Sequence, residues 1–151
     1  LSNTRLSMMQ DDSDIKEEYL DKAFEILVPF DTLQVDNIDS LALSEIQTLK
    51  SLIYIGKIFI NPMINGMKYG PLADKSINKA IAYYPENPRP YYLNGQSKFY
   101  TPSAFGGGID KALPLLEKSL KNYKIFEAQK YWPNWGHEKC QELYDKAIVD
   151  N

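Results

Sequence analysis

The sequence has little of the residue types that build disulfides, metal centres and nucleophilic active sites. Its 151 residues include one cysteine, Cys140, and one histidine, His137. A single cysteine excludes a disulfide within the chain, and a structural zinc site needs four Cys or His ligands. Any Ser-His-Asp triad would have to use His137, and no Gly-x-Ser-x-Gly string accompanies it. We therefore expect a protein that is not an enzyme and that holds no metal and no cofactor.

His137 and Cys140 are the one pair that the sequence offers for nucleophilic catalysis. They lie three residues apart, so a helix would place them side by side. A cysteine on a helix is more often a small buried hydrophobic residue than a nucleophile, and we favour that interpretation.

Clusters of positive charge and long apolar runs are also missing. The chain carries 17 Lys and Arg against 20 Asp and Glu, a net charge of −3, and the basic residues form no stripe. Nucleic-acid-binding surfaces need such a stripe, so we expect no nucleic-acid partner. The longest strongly apolar stretch, residues 52–60, is interrupted by Gly56 and Lys57 and is too short to span a bilayer.

Helical periodicity is what the sequence does have. Apolar residues recur at intervals of three and four, and no segment alternates apolar and polar residues between turns. The pattern predicts six helices, over residues 14–28, 38–60, 71–84, 88–100, 107–123 and 136–149. We therefore predict an all-α fold, in which residues 1–13 form a disordered or loosely ordered tail and residues 14–151 form a single domain.

Two parts of the chain nearly repeat each other. The interval from Gly56 to Ala73 equals the interval from Gly95 to Ala112. Small residues at fixed positions let the two helices of a hairpin approach closely, and larger apolar residues fill the layer between hairpins. The positions with this structural role are Gly56, Ala73, Ile77, Ala80, Gly95, Ala112 and Leu116. The spacing predicts repeat units at about 38–85 and 88–123, with a partial repeat at each end.

This spacing resembles the tetratricopeptide repeat. In that family a Gly in the first helix is followed by Ala, a bulky residue and Ala in the second helix, and then by Pro. The matching residues in the first unit are Gly56, Ala73, Ile77, Ala80 and Pro85. The segments between the paired helices, "NPMINGMKYG" at 61–70 and "TPSAFGGGID" at 101–110, are longer than the usual turn. The resemblance implies an α-α superhelix, a solenoid of about six helices with extended inter-helix turns.

A longer segment carries a second resemblance. The string "ENPRPYYLNGQSKFYTPSAFGGGIDKALPLLEKS" at 86–119, followed by "PNWG" at 133–136, is similar to a group of uncharacterised tetratricopeptide-like proteins of Bacteroidetes. Many of those proteins carry export signals, which implies a periplasmic or exported protein, with a cytoplasmic one as the alternative. Another helix pair usually precedes the first helix in that group. If that pair is missing here, the first helix exposes Tyr19, Ala23 and Leu27 and offers a face for self-association.

Three consecutive glycines precede the fifth predicted helix. Backbone N–H groups at such a place can bind an anion, but a phosphate-binding loop would continue with Lys and Ser or Thr. Here Ile109 and Asp110 follow instead. We therefore interpret Gly106, Gly107 and Gly108 as a tight turn in which Cβ atoms would clash with the preceding helix.

Aromatic residues crowd the hairpin that begins near residue 88, and Tyr and Trp are favoured anchors of binding surfaces. Adjacent residues cannot face the same way on a helix, so one residue of the Tyr91–Tyr92 pair should reach a surface. The candidate binding residues are Tyr91, Tyr92, Asn94, Lys98 and Arg89. We expect Trp135 to begin the last helix and to pack against the preceding repeat.

The function predicted from these features is that of a non-catalytic scaffold. Successive repeats would line a concave helical face that binds a protein or peptide, whose identity the sequence does not give. The alternative is an accessory protein of the cell envelope that binds a small apolar ligand. A closed apolar pocket would favour the alternative, and an open groove with a polar rim would favour the scaffold.

Overall fold

Seven α-helices occupy the part of the chain that the computed structural model describes, residues 1–31, 39–126 and 134–150. Their bounds are α1 Ser2–Met8, α2 Ser13–Leu27, α3 Ser40–Ile60, α4 Pro62–Tyr83, α5 Pro88–Tyr100, α6 Ile109–Ile125 and α7 His137–Val149. Short 3-10 turns lie at Val28–Asp31 and Ser103–Phe105. No strand occurs in these described ranges, and the prediction of an all-α fold is confirmed. The predicted start of the second helix at Ile38 lies outside the described residues.

The helices gather into two compact units, Leu1–Tyr83 and Tyr84–Asn151, which we call unit 1 and unit 2. The helices that the sequence pairs as repeats pack against each other, α3 with α4 in unit 1 and α5 with α6 in unit 2. The repeat positions Ala73, Ile77 and Ala80 are buried on α4. The single domain over 14–151 and the stacking of repeats into a solenoid stay predictions.

Unit 1 has a small apolar core between α2 and α3. Asp12 begins α2, because its side chain accepts hydrogen bonds from the backbone N–H groups of Asp14 and Ile15 (2.8 and 3.1 Å). The buried core residues are Leu20, Ala23, Leu27 and Ile53. Gly56 lets the two helices approach closely, since a Cβ at this position would lie 2.9 Å from Leu20 Cδ2.

The apolar face of the first predicted helix is covered. Ala23 and Leu27 are buried in the core beside α3, and Tyr19 is half-buried. The expectation of an exposed face for self-association is therefore wrong, because α3 itself packs on α2. Residues 1–13, expected to be a loose tail, contain α1, which packs against α2 and buries Thr4 and Ser7.

Residues 61–70 form helix where the sequence predicts an extended turn. α4 begins at Pro62, directly after Asn61, and continues through two glycines. Asn61 caps it by accepting a hydrogen bond from the Ile64 N–H (3.3 Å), and a proline at the first helical position needs no hydrogen bond. Each interior glycine costs about 1 kcal/mol relative to alanine, and the packing of α4 along α3 offsets this cost. The extended turn predicted for the first repeat is therefore wrong.

Unit 2 brings α5 and α6 together at a glycine. Asn87 caps α5 by accepting a hydrogen bond from the Arg89 N–H (3.0 Å). A Cβ on Gly95 would lie 2.7 Å from Leu116 Cδ2, so any larger residue would displace Leu116. The buried side chains that pack around these helices and α7 include Leu93, Ala112, Leu116, Ser119, Cys140, Leu143 and Ala147.

The turn between α5 and α6 is extended, and its three glycines satisfy different requirements. Gly106 and Gly108 have positive φ angles of 84° and 112°, which residues with side chains rarely adopt. A Cβ on Gly107 would overlap the carbonyl oxygen of Thr101 at the end of α5. The three glycine N–H groups donate to the carbonyl oxygens of Ser103, Pro102 and Lys98. These donors are engaged within the turn and are not free to bind an anion.

Candidate functional site

A cleft with a volume of about 180 Å³ lies between α5 and α7 in unit 2. We call it the α5–α7 cleft. The lining residues are Tyr92, Gln96 and Tyr100 from α5 and Lys139, Glu142, Leu143 and Lys146 from α7. The α5 residues are four positions apart, and the α7 residues are three, one and three positions apart. Each set therefore lies on one face of its helix. This lining suits a small organic ligand with polar groups, because it combines aromatic rings, an amide, an aliphatic side chain and charges.

Tyr92 is the buried wall of the cleft. It is 7% exposed, and its hydroxyl oxygen accepts a hydrogen bond from Gln96 Nε2 (3.1 Å). Burial is the main cause that raises the pKa of Tyr92 to about 12, and Cys140 and Tyr100 add smaller effects. The phenol is therefore neutral at physiological pH, and it presents a ring and a hydroxyl group without charge.

Tyr100 is the exposed aromatic residue of the cleft. It is 55% exposed, and its ring meets the Phe99 ring edge-on, with centroids 5.1 Å apart. Lys146 Nζ lies 5.3 Å from the centroid of the same Phe99 ring. Because aromatic faces attract ammonium groups, Phe99 helps to hold Lys146 beside the tyrosine.

The two lysines of the cleft differ in their pairing. Lys139 Nζ lies 2.6 Å from Glu142 Oε2, and this hydrogen bond raises the pKa of Lys139. Among the residues that the structure describes, no carboxylate pairs with Lys146. The negative charge of Glu142 is therefore compensated within α7, and Lys146 gives the cleft a positive charge that an anionic ligand can bind.

The predicted binding residues do not lie together at one site. Tyr92 lines the α5–α7 cleft, whereas Tyr91, Asn94 and Lys98 are half-buried and do not line it. Tyr91 lies instead beside Lys118 of α6, whose Nζ is 5.8 Å from the ring centroid. The roles of these residues in binding stay predictions.

Arg89 belongs to a buried cluster that attaches the start of α7. It is 1% exposed, its Nε donates a hydrogen bond to the Trp135 carbonyl oxygen (3.3 Å), and its guanidinium lies 5.2 Å from the Phe126 ring centroid. The Tyr123 hydroxyl donates to the same Trp135 carbonyl oxygen (2.9 Å). A buried cation with these contacts positions helices, and it is not available to a ligand at the surface.

Cys140 has the environment of a structural residue. Its side chain is buried, Sγ donates to the Leu116 carbonyl oxygen (3.8 Å), and burial raises the pKa of the thiol. A nucleophilic cysteine needs the opposite shift, toward the thiolate. The His137 ring packs on the Tyr123 ring with centroids 4.9 Å apart. The interpretation of Cys140 as a small buried hydrophobic residue agrees with this packing.

Unit 1 carries a separate apolar surface at the end of α3 and the start of α4. We call it the apolar face of unit 1, and it consists of Phe59, Met63, Ile64 and Met67. The two methionines are 87% and 83% exposed. Exposed apolar side chains on successive helical turns mark a surface that can bind an apolar partner or ligand.

The described ranges contain neither a cluster of metal-ligating side chains nor a helix that could cross a membrane. Within residues 1–31, 39–126 and 134–150, no group of three or more His, Cys, Asp or Glu side chains is placed to hold a metal ion. None of the helices in these ranges combines the length and the apolar composition that crossing a membrane requires.

Comparison with solved structures finds a similarity over nearly the whole chain. The HusA haemophore from Porphyromonas gingivalis matches with 32% sequence identity and a TM-score of 0.76, over 89% of this chain. The match covers 64% of the haemophore, so this chain spans less than two thirds of that protein. No model of a known protein family matches the sequence, and no curated protein matches it.

The similarity corrects the functional prediction. The haemophore comes from a member of the Bacteroidetes, the group that the sequence resembles, but the tetratricopeptide part of the resemblance finds no matching family model. The prediction of a scaffold for a protein or peptide is wrong, because the similar structure is a haemophore. The prediction failed because the spacing of small residues determines how closely two helices pack. It does not determine which ligand the protein binds. The predicted alternative, a small-molecule-binding protein, fits better.

Proposed function

We propose that this chain binds haem or a closely related tetrapyrrole. The observation that carries the proposal is the similarity to a haemophore at 32% identity and a TM-score of 0.76. The role is binding and not catalysis, in keeping with the buried, neutral Cys140 thiol.

The α5–α7 cleft supports the proposal by its chemistry. Haem is a flat, largely apolar ring system whose carboxylates lie on one edge, so it needs apolar or aromatic surface together with cations. The cleft supplies the rings of Tyr92 and Tyr100, the aliphatic Leu143, and the cation Lys146. The neutral state of Tyr92 leaves no negative charge on the buried wall.

The cleft is too small to enclose a whole tetrapyrrole. Its volume of about 180 Å³ is below the roughly 300–1,000 Å³ of most small-molecule pockets. A tetrapyrrole would therefore enter by one edge, with much of the ring outside the cleft. Unit 1 offers further apolar surface, in the apolar face of unit 1 and in a cleft of about 270 Å³ whose lining includes Ala23, Ile26, Leu27 and Leu49.

The proposal extends to location. The Bacteroidetes proteins that the sequence resembles often carry export signals, and a haemophore is by definition a carrier of haem outside the cell. We therefore propose that the chain acts in the periplasm or beyond it.

Titration of the wild-type chain with haem tests the proposed function. The Soret absorbance of haem and the fluorescence of the two tryptophans report binding in the same sample. We expect saturable changes with one haem for each chain. Haem at 100 times its Kd should raise the free energy of unfolding by about 2.7 kcal/mol, measured by chemical denaturation. A linear, unsaturable change together with unaltered stability would contradict the proposal.

A further inference from the structure

We propose that Lys146 binds a carboxylate of the ligand in the α5–α7 cleft, while the rings of Tyr92 and Tyr100 contact its ring system. This assignment rests on the proposed function and deepens it, because it names the group that recognises the ligand's acidic edge. It predicts a preference for planar aromatic ligands that carry a free carboxylate over otherwise identical ligands that lack one.

The two lysines that line the cleft differ in their pairing. Lys139 already forms an ion pair with Glu142 at 2.6 Å, so a ligand carboxylate would have to compete for it. Among the described residues, Lys146 has no carboxylate partner, and a ligand carboxylate would bind it without breaking an ion pair. An unpaired ammonium beside a cleft is a ready site for an anion.

Lys146 lies next to aromatic surface. Its ammonium lies 5.3 Å from the Phe99 centroid, and the Phe99 ring meets Tyr100 edge-on at 5.1 Å. Lys146 and the exposed Tyr100 both line the cleft, so a ligand whose carboxylate binds Lys146 can lay its ring system against Tyr100. Aromatic side chains in this position gain contact area with little loss of conformational entropy.

The remaining walls of the cleft tolerate an anion. Gln96 holds the Tyr92 hydroxyl oxygen at 3.1 Å, and Tyr92 is uncharged. Glu142 is the acidic residue of the lining, and Lys139 compensates its charge. With two lysines and one glutamate, the lining as a whole carries one net positive charge, which favours a ligand with a free carboxylate.

The experiment compares haem with its dimethyl ester, which has the same ring system and iron but no free carboxylate. Dissociation constants of both ligands are measured for the wild type, for Lys146→Gln and for Lys146→Arg, in one detergent-containing buffer. Lys121→Gln is the matched control, because Lys121 is an exposed lysine on α6 that does not line the cleft. The helical circular dichroism and thermal midpoint of each variant establish that it is folded.

We expect the wild type to bind haem about two- to fivefold more tightly than the ester, the range for a partly exposed charge pair. Lys146→Gln should bind the two ligands equally, whereas Lys146→Arg and Lys121→Gln should keep the preference. An unchanged preference in Lys146→Gln would overturn the assignment of Lys146 and leave the proposed function intact. Equal binding of acid and ester by the wild type would also overturn it. Failure of the wild type to bind either ligand would overturn the proposed function together with this inference.

Discussion

At the scale of single residues, unit 2 separates side chains that hold helices in place from side chains that line the cleft. Arg89 is buried among Trp135 and Phe126, where its charge and planar shape fix the start of α7. Tyr92 contributes to both roles, since it is buried in the fold and also forms a wall of the cleft. Its burial has a measurable consequence for stability.

Tyr92 should make the stability of the chain depend on pH above 10. A phenol in the unfolded chain loses its proton near pH 10, whereas burial raises the pKa of folded Tyr92 to about 12. The contribution of neutral Tyr92 to stability is complete below pH 10 and is lost as the pH rises from 10 to 12. The loss amounts to at most about 3 kcal/mol.

Urea unfolding of the wild type and of Tyr92→Phe at pH 8, 10, 11 and 12 measures this contribution. We expect the free energy of unfolding to fall more steeply in the wild type than in the variant, because phenylalanine has no proton to lose. Parallel curves for the two proteins across this range would contradict the burial of the Tyr92 hydroxyl.

One of the predicted binding residues, Tyr92, lines the cleft, whereas the other lining residues were not predicted. The Tyr91–Tyr92 pair stands out because adjacent aromatics must face different ways, and Tyr92 does line the cleft. Tyr100 follows at the same helical spacing and could have been included. Lys146 could not have been predicted as a lining residue, because exposed lysines are common on helices. Nothing in the sequence shows that α7 packs beside α5.

At the scale of secondary-structure elements, the first half of α4 is where the sequence was most misleading. An Asn-Pro pair and two glycines within ten residues suggest a loop, yet each is compatible with a capped helix. Strong signals, such as the Asp12 cap of α2 and the Asn87 cap of α5, mark helix starts, and α2, α3, α5, α6 and α7 were placed to within a few residues. α1 was missed, because it lies within residues 1–13, which the sequence predicts as a loose tail. Local signals fix helix starts, whereas tertiary packing decides whether a weak segment becomes helical.

Two glycine substitutions test this description of the elements. Gly66→Ala should stabilise the chain by about 0.5–1 kcal/mol, because its Cβ would meet nothing within 4 Å and alanine favours helix. Gly107→Ala should destabilise it by about 2 kcal/mol or more, because its Cβ would collide with the Thr101 carbonyl oxygen. Chemical denaturation of both variants gives the two values. Destabilisation by Gly66→Ala would argue that residues 61–70 form a turn and not a helix.

At the scale of the whole molecule, the fold class could be predicted from periodicity alone, but the ligand class could not. The repeat spacing of glycine and alanine describes how α5 approaches α6, and the same packing serves proteins that bind very different partners. Arg89, a predicted binding residue, is buried. The face of α2 that was expected to be exposed for self-association is also buried. The similarity to a haemophore favours a small-molecule ligand over a protein or peptide partner.

NMR tests the proposed ligand and the proposed site together, that is, a tetrapyrrole bound in the α5–α7 cleft. Zinc protoporphyrin, a diamagnetic haem analogue, is added to the isotopically labelled chain, and backbone amide shifts are followed. We expect saturable shifts concentrated on the cleft-lining parts of α5 and α7, around Tyr92, Tyr100 and Lys146. Shifts confined to the apolar face of unit 1 would contradict the assigned site, and the absence of saturable shifts would contradict tetrapyrrole binding itself.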